Sequence, residues 1–273
     1  QEELLLATGC TEPIAVAYCA AKLREVLGGK PEEVLAEVSG NILKNVKSVV
    51  VPNTNGRRGI DAAIAVGIVA GDADAELQVI ANVTEDDVAA IQGYLDTTPI
   101  KVTCPETPCL LDIFLHGKRE GHTAAVRVAN NHTNIIYIEK DGVALLEKPL
   151  TANAEDNLQD KSVLNVRDII TFAETVPIET ILPTVGRQIE KNSAIAEEGL
   201  RNDWGANIGS TLLESSQDWA TQARAWAAAG SGRQRCPHER LRNAGGHLFR
   251  LRQPGHYRLC AGVEIRQAHR CGR

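Results

Sequence analysis

The GCTEP motif at residues 9–13 has the clearest capacity for chemistry in the sequence. Thr11 is a favourable helix N-cap and Pro13 is tolerated in a first helical turn, so the motif predicts a helix that begins beside Cys10. The positive end of that helix would favour the thiolate form of Cys10, which can act as a general base or a nucleophile. The alternative is a small buried cysteine, which is the role expected of Cys19 further along the same helix.

Three further polar clusters could hold a small zwitterionic ligand. They fall in a loop predicted between two strands, at the next turn, and before a strong strand. Their members are Asn41, Lys44 and Asn45; Asn53 and Thr54; and His132, Thr133 and Asn134. Polar side chains at strand ends are typical of such sites, although Asn is also frequent in ordinary turns. His132 could be an acid–base group, a carboxylate ligand or a structural histidine.

Two weaker patterns are open to either interpretation. Cys104 and Cys109 have a spacing that would supply only half of a metal site, so no metal ligand is predicted. The GRRG sequence at 56–59 could bind an anion at the start of the following helix, or could be a solvated basic turn.

Periodicity predicts the elements that must position these residues. Helices are expected at 13–27, 60–70, 85–95, 163–175, 178–199 with a break at Pro183, and 206–229. Strands are expected at 34–39 and 47–51, with a polar loop over 40–45 between them, and hairpins about 118–121 and Asp141-Gly142. This order predicts an α+β N-terminal domain with a mixed or antiparallel sheet (1–155), then the start of an all-α domain (156–231).

Composition excludes several classes of protein. Hydrophobic residues make up 43% of the chain and aromatic residues only 4%, so Ala, Val, Ile and Leu must build the core. No apolar run reaches the roughly 18 residues of a membrane span, and the first residues lack the basic region of a signal peptide. We therefore expect a cytoplasmic protein with no membrane partner. Seven Cys are too few for a disulfide scaffold.

The last 42 residues differ from the rest in charge. Residues 1–231 carry 19 Lys and Arg against 33 Asp and Glu, whereas residues 232–273 carry ten Arg, no Lys and two Glu. A basic tail can bind nucleic acid, but the acidic body argues against a nucleic-acid partner. Out-of-frame translation of GC-rich DNA also gives Arg-rich sequence, because CGN codons are frequent there.

A shifted reading frame explains the tail best. Codons permitted by residues 238–258 can be read one base later as MSGCGMPVV followed by ICSGSGNQGIT. We therefore expect residues 232–273 to be a disordered or non-native, out-of-frame tail, the alternative being an unstructured basic tail. Its His and Cys would then carry no chemistry: His238, His247, His256, Cys236, Cys260 and Cys271. The absence of Met, even at position 1, also leads us to expect a fragment.

Several motifs, taken in order, resemble the L-cysteine desulfidase family, which is similar to the alpha chain of iron–sulfur L-serine dehydratases. The resemblance covers residues 1 to about 231, and the shifted frame resembles the family's next segment. Besides GCTEP, the matching motifs are Ser39-Gly40-Asn41 with Lys44-Asn45, Val51-Pro52-Asn53-Thr54, His132-Thr133-Asn134-Ile135, Glu197-Glu198-Gly199-Leu200, Trp204-Gly205 and Ile208-Gly209.

The resemblance implies a function. These enzymes use a 4Fe–4S cluster to convert L-cysteine to sulfide, pyruvate and ammonia, which makes Cys10 the candidate base. Substrate-binding roles then fall on GCTEP and the three polar clusters: Thr11, Glu12, Asn41, Lys44, Asn45, Asn53, Thr54, His132, Thr133 and Asn134. The family's cluster ligands lie further downstream, so we expect no cluster and no turnover in the chain as it stands, and a homodimer is possible by analogy. The alternatives are an L-serine dehydratase-like deaminase and a non-catalytic amino-acid-binding module.

Overall fold

The chain folds into two units that differ in secondary structure. A computed structural model describes residues 4–151, 163–202, 207–215, 218–232 and 248–251. Residues 7–151 form a unit of sheet and helices, whereas the described residues from 163 onward, together with 4–6, form a mainly helical unit. The α+β fold expected from the sequence is confirmed, and the domain bounds at 155 and 231 stay predictions.

The elements alternate between helices and strands up to residue 151 and are mainly helical after it. The first group is β1 (Leu4–Ala7), α1 (Thr11–Leu27), β2 (Glu33–Val38), α2 (Gly40–Val46), α3 (Gly59–Ala70), a 3₁₀ turn (Ala73–Gln78), α4 (Glu85–Thr97), β3 (Ile100–Thr103), β4 (Asp112–Arg119), β5 (His122–Ala129), β6 (Ile135–Lys140) and β7 (Val143–Glu147). The second group is α5 (Val166–Thr175), α6 (Ile178–Ile181), a π-helical turn (Leu182–Gly186), α7 (Arg187–Arg201), α8 (Ile208–Ser215), α9 (Trp219–Gly232) and β8 (Leu248–Leu251).

Six strands form one mixed sheet in the order β3-β2-β4-β5-β6-β7. β2 and β3 run parallel, and the other neighbours are antiparallel. Side chains alternate between the faces, so Ile113 and Leu115 are fully buried while Phe114 and His116 between them are partly exposed. α1 packs against β4 and β5, and it thereby covers the apolar face.

α1 and α3 are buried over most of their surfaces and are built mainly from small and branched apolar residues. A helix that is apolar all round is expected in a core, and α1 lies in contact with both the sheet and α3. The two helices approach so closely that a Cβ placed on Gly67 would lie 2.2 Å from the carbonyl oxygen of Ala17. Glycine at this position sets the separation between the helices.

Local sequence signals mark several helix ends and turns. Gly28 ends α1 in a left-handed conformation, with φ of 84°. Thr84 and Asp87 form a capping box at the start of α4. The hairpin turns fall at Glu120-Gly121 and Asp141-Gly142, where every residue has a positive φ.

Two predictions around residues 40–51 are wrong. The polar segment predicted as a loop is α2, because Ser39 accepts a hydrogen bond from the backbone N–H of Ile42 and because Ile42 and Val46 bury one helical face. The strand predicted over 47–51 is only an isolated bridge between Val50 and Arg58. The β-branched residues there lie in a tight loop whose backbone bonds to itself.

The helical unit follows the predicted pattern with shorter elements. α5 begins at Val166, after Asn165 accepts a capping hydrogen bond from the Asp168 N–H. The π-helical turn that contains Pro183 separates α6 from α7, as the predicted break requires. The helix predicted over 206–229 is described as two helices, α8 and α9.

Part of the predicted out-of-frame tail lies within the described residues. Four of its residues form β8, which pairs with β1 in a two-stranded sheet. The tail's cysteines and His238, His247 and His256 lie outside the described residues, so the frame itself stays a prediction. None of the helices described here has the length and apolar character needed to cross a lipid bilayer.

We predict that Gly67→Ala lowers the free energy of unfolding by about 2 kcal/mol or more, because the new methyl group forces α1 and α3 apart. Gly93→Ala is the matched control, since a Cβ on this exposed glycine of α4 meets nothing within 4 Å. That control should raise stability by about 0.5–1 kcal/mol, because Ala is the better helix former. Urea denaturation measures both, and equal effects would contradict the close packing.

Candidate functional site

α1 directs the GCTEP motif toward one end of the sheet. At its middle, the Cys19 thiol lies 3.3 Å from the carbonyl oxygen of Val126 in β5. At the C-terminal end of α1, the Gly28 carbonyl accepts a hydrogen bond from the guanidinium of Arg119, which lies at the β4–β5 hairpin. Nine helical residues back from Cys19 correspond to about 13 Å, and four strand residues on from Val126 to about 13 Å. The start of α1 is therefore level with the β5–β6 turn.

Cys10 is the residue before the first turn of α1. It is half-buried and, in place of Thr11, it occupies the N-cap position, while Thr11 is the buried first residue of the helix. Its sulfur lies 3.2 Å from Glu12 Oε2, which also accepts a hydrogen bond of 3.4 Å from the Thr11 hydroxyl. The Cys10 thiol therefore lies within hydrogen-bonding distance of the Glu12 carboxylate, which can accept its proton.

A close approach joins the GCTEP motif to the VPNT motif. A Cβ on Gly9 would lie 2.6 Å from Pro52 Cγ, so the two segments pack directly against each other. Thr8 is fixed nearby, because its N–H donates to the Leu77 carbonyl over 3.0 Å. Sequence motifs that are more than forty residues apart are thus neighbours in the fold.

The candidate side chains of the VPNT turn mainly stabilise the turn itself. Thr54 is fully buried, and its hydroxyl donates to the Val51 carbonyl over 2.8 Å. Asn53 has a φ of 59° and donates its side-chain amide to the Ile80 carbonyl over 2.8 Å. Both side chains therefore act mainly in holding the loop in its conformation.

The neighbouring GRRG segment also uses its charges locally. Arg57 donates to the Thr54 carbonyl and to the Gln92 side chain, and Arg58 donates to the Ser48 carbonyl. These contacts direct both guanidinium groups to protein oxygens, which favours the interpretation as a structural turn.

α2 carries the second polar cluster on its outer face. Asn41 and Lys44 are exposed, while Asn45 is half-buried and lies 3.4 Å from Asn41, amide nitrogen to amide oxygen. α2 packs against α1 and α3. Lys44 supplies a cationic side chain that can pair with a carboxylate.

Ser39 fixes the start of α2 to the segment before β4. Its hydroxyl donates to the Leu110 carbonyl over 2.7 Å, and its N–H donates to the Asp112 carbonyl over 2.9 Å. The Asn130 N–H donates to the Leu111 carbonyl over 2.9 Å, so the β5–β6 turn is held to the same segment. The three-residue stretch from Leu110 to Asp112 therefore connects α2 with the β5–β6 turn.

The third cluster lies in that turn. Asn134 closes it, because its backbone carbonyl accepts from the Ala129 N–H and its side-chain amide donates to the Ala129 carbonyl over 3.0 Å. His132 and Thr133 lie half-buried in the middle of the turn. The side chain of Asn134 therefore stabilises the turn in which His132 and Thr133 lie.

Asp112 and Arg127 form an ion pair that the sequence did not single out. Two hydrogen bonds of 2.8 and 2.6 Å join the buried carboxylate to the guanidinium, which also lies 5.0 Å above the Phe114 ring. The hydrogen bond to Asp112 raises the pKa of Arg127. Asp112 also accepts from the Thr107 hydroxyl, so the pair ties the loop before β4 to β5.

The remaining described cysteines differ in exposure. Cys19 is fully buried as expected, and burial raises the pKa of its thiol far above the usual range. Burial, followed by the charge of Asp112, also raises the pKa of Cys109. Cys104 is exposed, with its sulfur 4.0 Å from where a Cβ on Gly40 would be.

The described residues do not provide a metal centre. Within those ranges, no group of three or more His, Cys, Asp or Glu side chains is arranged to hold a metal ion. A 4Fe–4S cluster is bound chiefly by cysteine thiolates, and these side chains do not fit it.

Similarity to known proteins extends over most of the chain. It is 43% identical over 218 residues to a UPF0597 protein of Treponema denticola, a match that covers 80% of this chain and 51% of that relative. It is 46% identical over 232 residues to a UPF0597 protein of Desulfitobacterium hafniense, covering 85% of this chain and 54% of that relative. A UPF0597 protein of Lachnoclostridium phytofermentans is 45% identical over 230 residues, covering 84% and 55%.

The comparison covers only part of each relative and includes no family model or solved structure. The chain spans about half the length of the curated relatives it matches. No family model matches the sequence, and no solved structure matches it. The chain is similar to UPF0597 proteins, a name that specifies no reaction, so an activity must be argued from the site.

We predict that iodoacetamide at neutral pH labels Cys10 and Cys104 faster than Cys19 and Cys109. The thiolate is the reactive form, and burial both shields Cys19 and Cys109 and raises the pKa of each. Peptide mass spectrometry measures the four rates, and the denatured chain, in which all four should react, is the control. Labelling of Cys19 as fast as Cys104 would contradict the packing of α1.

Proposed function

We propose that this chain is the amino-acid-binding part of an L-cysteine desulfidase-like lyase. The observation that carries the proposal is the Cys10–Glu12 pair at the start of α1, at the end of the sheet where the polar segments of α2 and the β5–β6 turn also lie. The resemblance of the motifs to that family supports the choice of substrate.

Each group has a role that suits a zwitterionic substrate. Lys44 is the cation available to the α-carboxylate, and the amides of Asn41 and Asn45 offer both donors and acceptors. His132 and Thr133 offer further polar groups from the β5–β6 turn. The ion pair of Asp112 with Arg127 has a positioning role, because it fixes the segment that holds α2 and the turn.

Cys10 and Glu12 together carry out the proton transfer. When Cys10 transfers its proton to Glu12, its sulfur becomes a thiolate that the helix N-terminus stabilises. It can then accept the Cα proton of L-cysteine, and the released electron pair forms the Cα–Cβ double bond while the Cβ–S bond breaks to give hydrosulfide. The other product, 2-aminoacrylate, reacts with water to give pyruvate and ammonium.

The family's iron–sulfur cluster is not assigned to these residues. In enzymes of that family, the cluster supplies a Lewis acid for the substrate. The side chains described here do not form such a centre, so no step above depends on it. What this part of the chain contributes is binding, orientation and proton transfer.

We predict that the chain binds L-cysteine and that Lys44→Ala weakens binding about tenfold, as expected for the loss of a charge-assisted hydrogen bond. Lys47→Ala is the matched control, because Lys47 is also exposed and lies at the C-terminal cap of the same helix. Isothermal titration calorimetry measures both. Undetectable binding of L-cysteine, or equal losses in the two variants, would argue against the site.

Cys10→Ser should lower turnover at least about tenfold in the protein whose reading frame is restored after residue 231, because the general base is lost. Anaerobic release of sulfide and pyruvate is measured with L-cysteine and with L-serine, and Cys104→Ser is the control. Near-normal activity of Cys10→Ser would contradict the assignment of Cys10 as the general base. More pyruvate from L-serine would favour the deaminase, and binding without product would favour a non-catalytic module.

A further inference from the structure

Packing against the rest of its own unit does not explain why α5 forms a helix. None of its ten residues is buried, although it carries a strong apolar stripe. An isolated helix shorter than about 12–15 residues is only marginally stable in water. Large apolar side chains on it are exposed by half or more: Val166, Ile169, Ile170 and Phe172. A surface of this kind is expected to be covered in the working protein.

The sequence of α5 follows a heptad-like pattern. Val166, Ile170 and Ala173 lie at spacings of four and three residues, which places them along one seam. Arg167 and Glu174 are seven residues apart, so both flank that seam on the same side. The two charges are opposite and lie symmetrically about the level of Ile170.

This symmetry makes the helix complementary to itself. When two copies of α5 pack antiparallel about a twofold axis near Ile170, Arg167 lies level with the partner's Glu174. The same contact then occurs a second time by symmetry. A parallel, in-register pair would bring like charges level with each other instead. Charges that flank a seam select partner and orientation in this way.

We propose that α5 is the interface between two copies of this chain, paired antiparallel through its apolar stripe. The contact is independent of the amino-acid site, which is built in the other unit. It is formed by a single short helix from each copy, so it should be a weak and reversible dimer.

Sedimentation equilibrium on the 273-residue chain and its variants tests the interface. The wild-type chain should show a monomer–dimer equilibrium, and Ile170→Asp should abolish it. Thr171→Asp, on the polar side of the same helix, should leave it unchanged. Circular dichroism on each variant checks that the helical content is kept.

Charge reversal tests the orientation separately. Arg167→Glu or Glu174→Arg alone should weaken dimerisation about tenfold, because two attractive pairs become repulsive. The double variant should recover the wild-type constant. A monomeric wild type, self-association that survives Ile170→Asp, or a double variant as weak as the single ones would each overturn the proposal. A monomer would indicate that another partner covers α5.

Discussion

The contact of α1 with the sheet on one side and α3 on the other is the constraint on which the first unit depends. It is possible only because the facing residues are small: Gly67 lies against the Ala17 carbonyl, and the Cys19 thiol reaches the strand carbonyls of β4 and β5. A helix held at its middle and at its C-terminal end has little freedom left at its N-terminus. The position of Cys10 is therefore a consequence of packing that occurs more than 10 Å away.

The polar residues near Cys10 are ordered by a second set of contacts. Ser39 and Asn130 both bond to the backbone between Leu110 and Asp112. Asp112, in turn, is fixed by Arg127. Because this carboxylate has low exposure, loss of either partner of the ion pair should strongly destabilise the fold. The candidate site thus has a rigid frame, while its potential ligand-contacting groups on α2 remain exposed.

Local signals made much of the fold predictable from the sequence. Gly28, the Thr84–Asp87 capping box and Asp141-Gly142 each act within a few residues, so their patterns are sufficient to mark helix ends and turns. α2 was missed because the polar letters of 40–45 suggest a loop. The hydroxyl that caps the helix is oriented by Leu110, 71 residues further along the chain.

In the candidate site, too, features set by a short motif could be predicted, whereas contacts between residues distant in sequence could not. Cys10 at a helix start could be foreseen from GCTEP alone. The contact of Gly9 with Pro52 and the ion pair of Asp112 with Arg127 could not, because no periodicity links residues of different elements. Residue type alone suggests Thr54 and Asn134 as ligand contacts, although their side chains form hydrogen bonds that fix the backbone of their own turns.

The position of β2 within the sheet has a consequence for biosynthesis. Both of its neighbours, β3 and β4, come from residues 100–119, so about 60 residues separate β2 from the first strand with which it can pair. At a translation rate of 5–20 residues per second, β2 waits about 3–12 s on the ribosome with its backbone unpaired. Meanwhile α1 and α3 can already associate through contacts closer in sequence. The helical pair is therefore available as a template on which the sheet is later assembled.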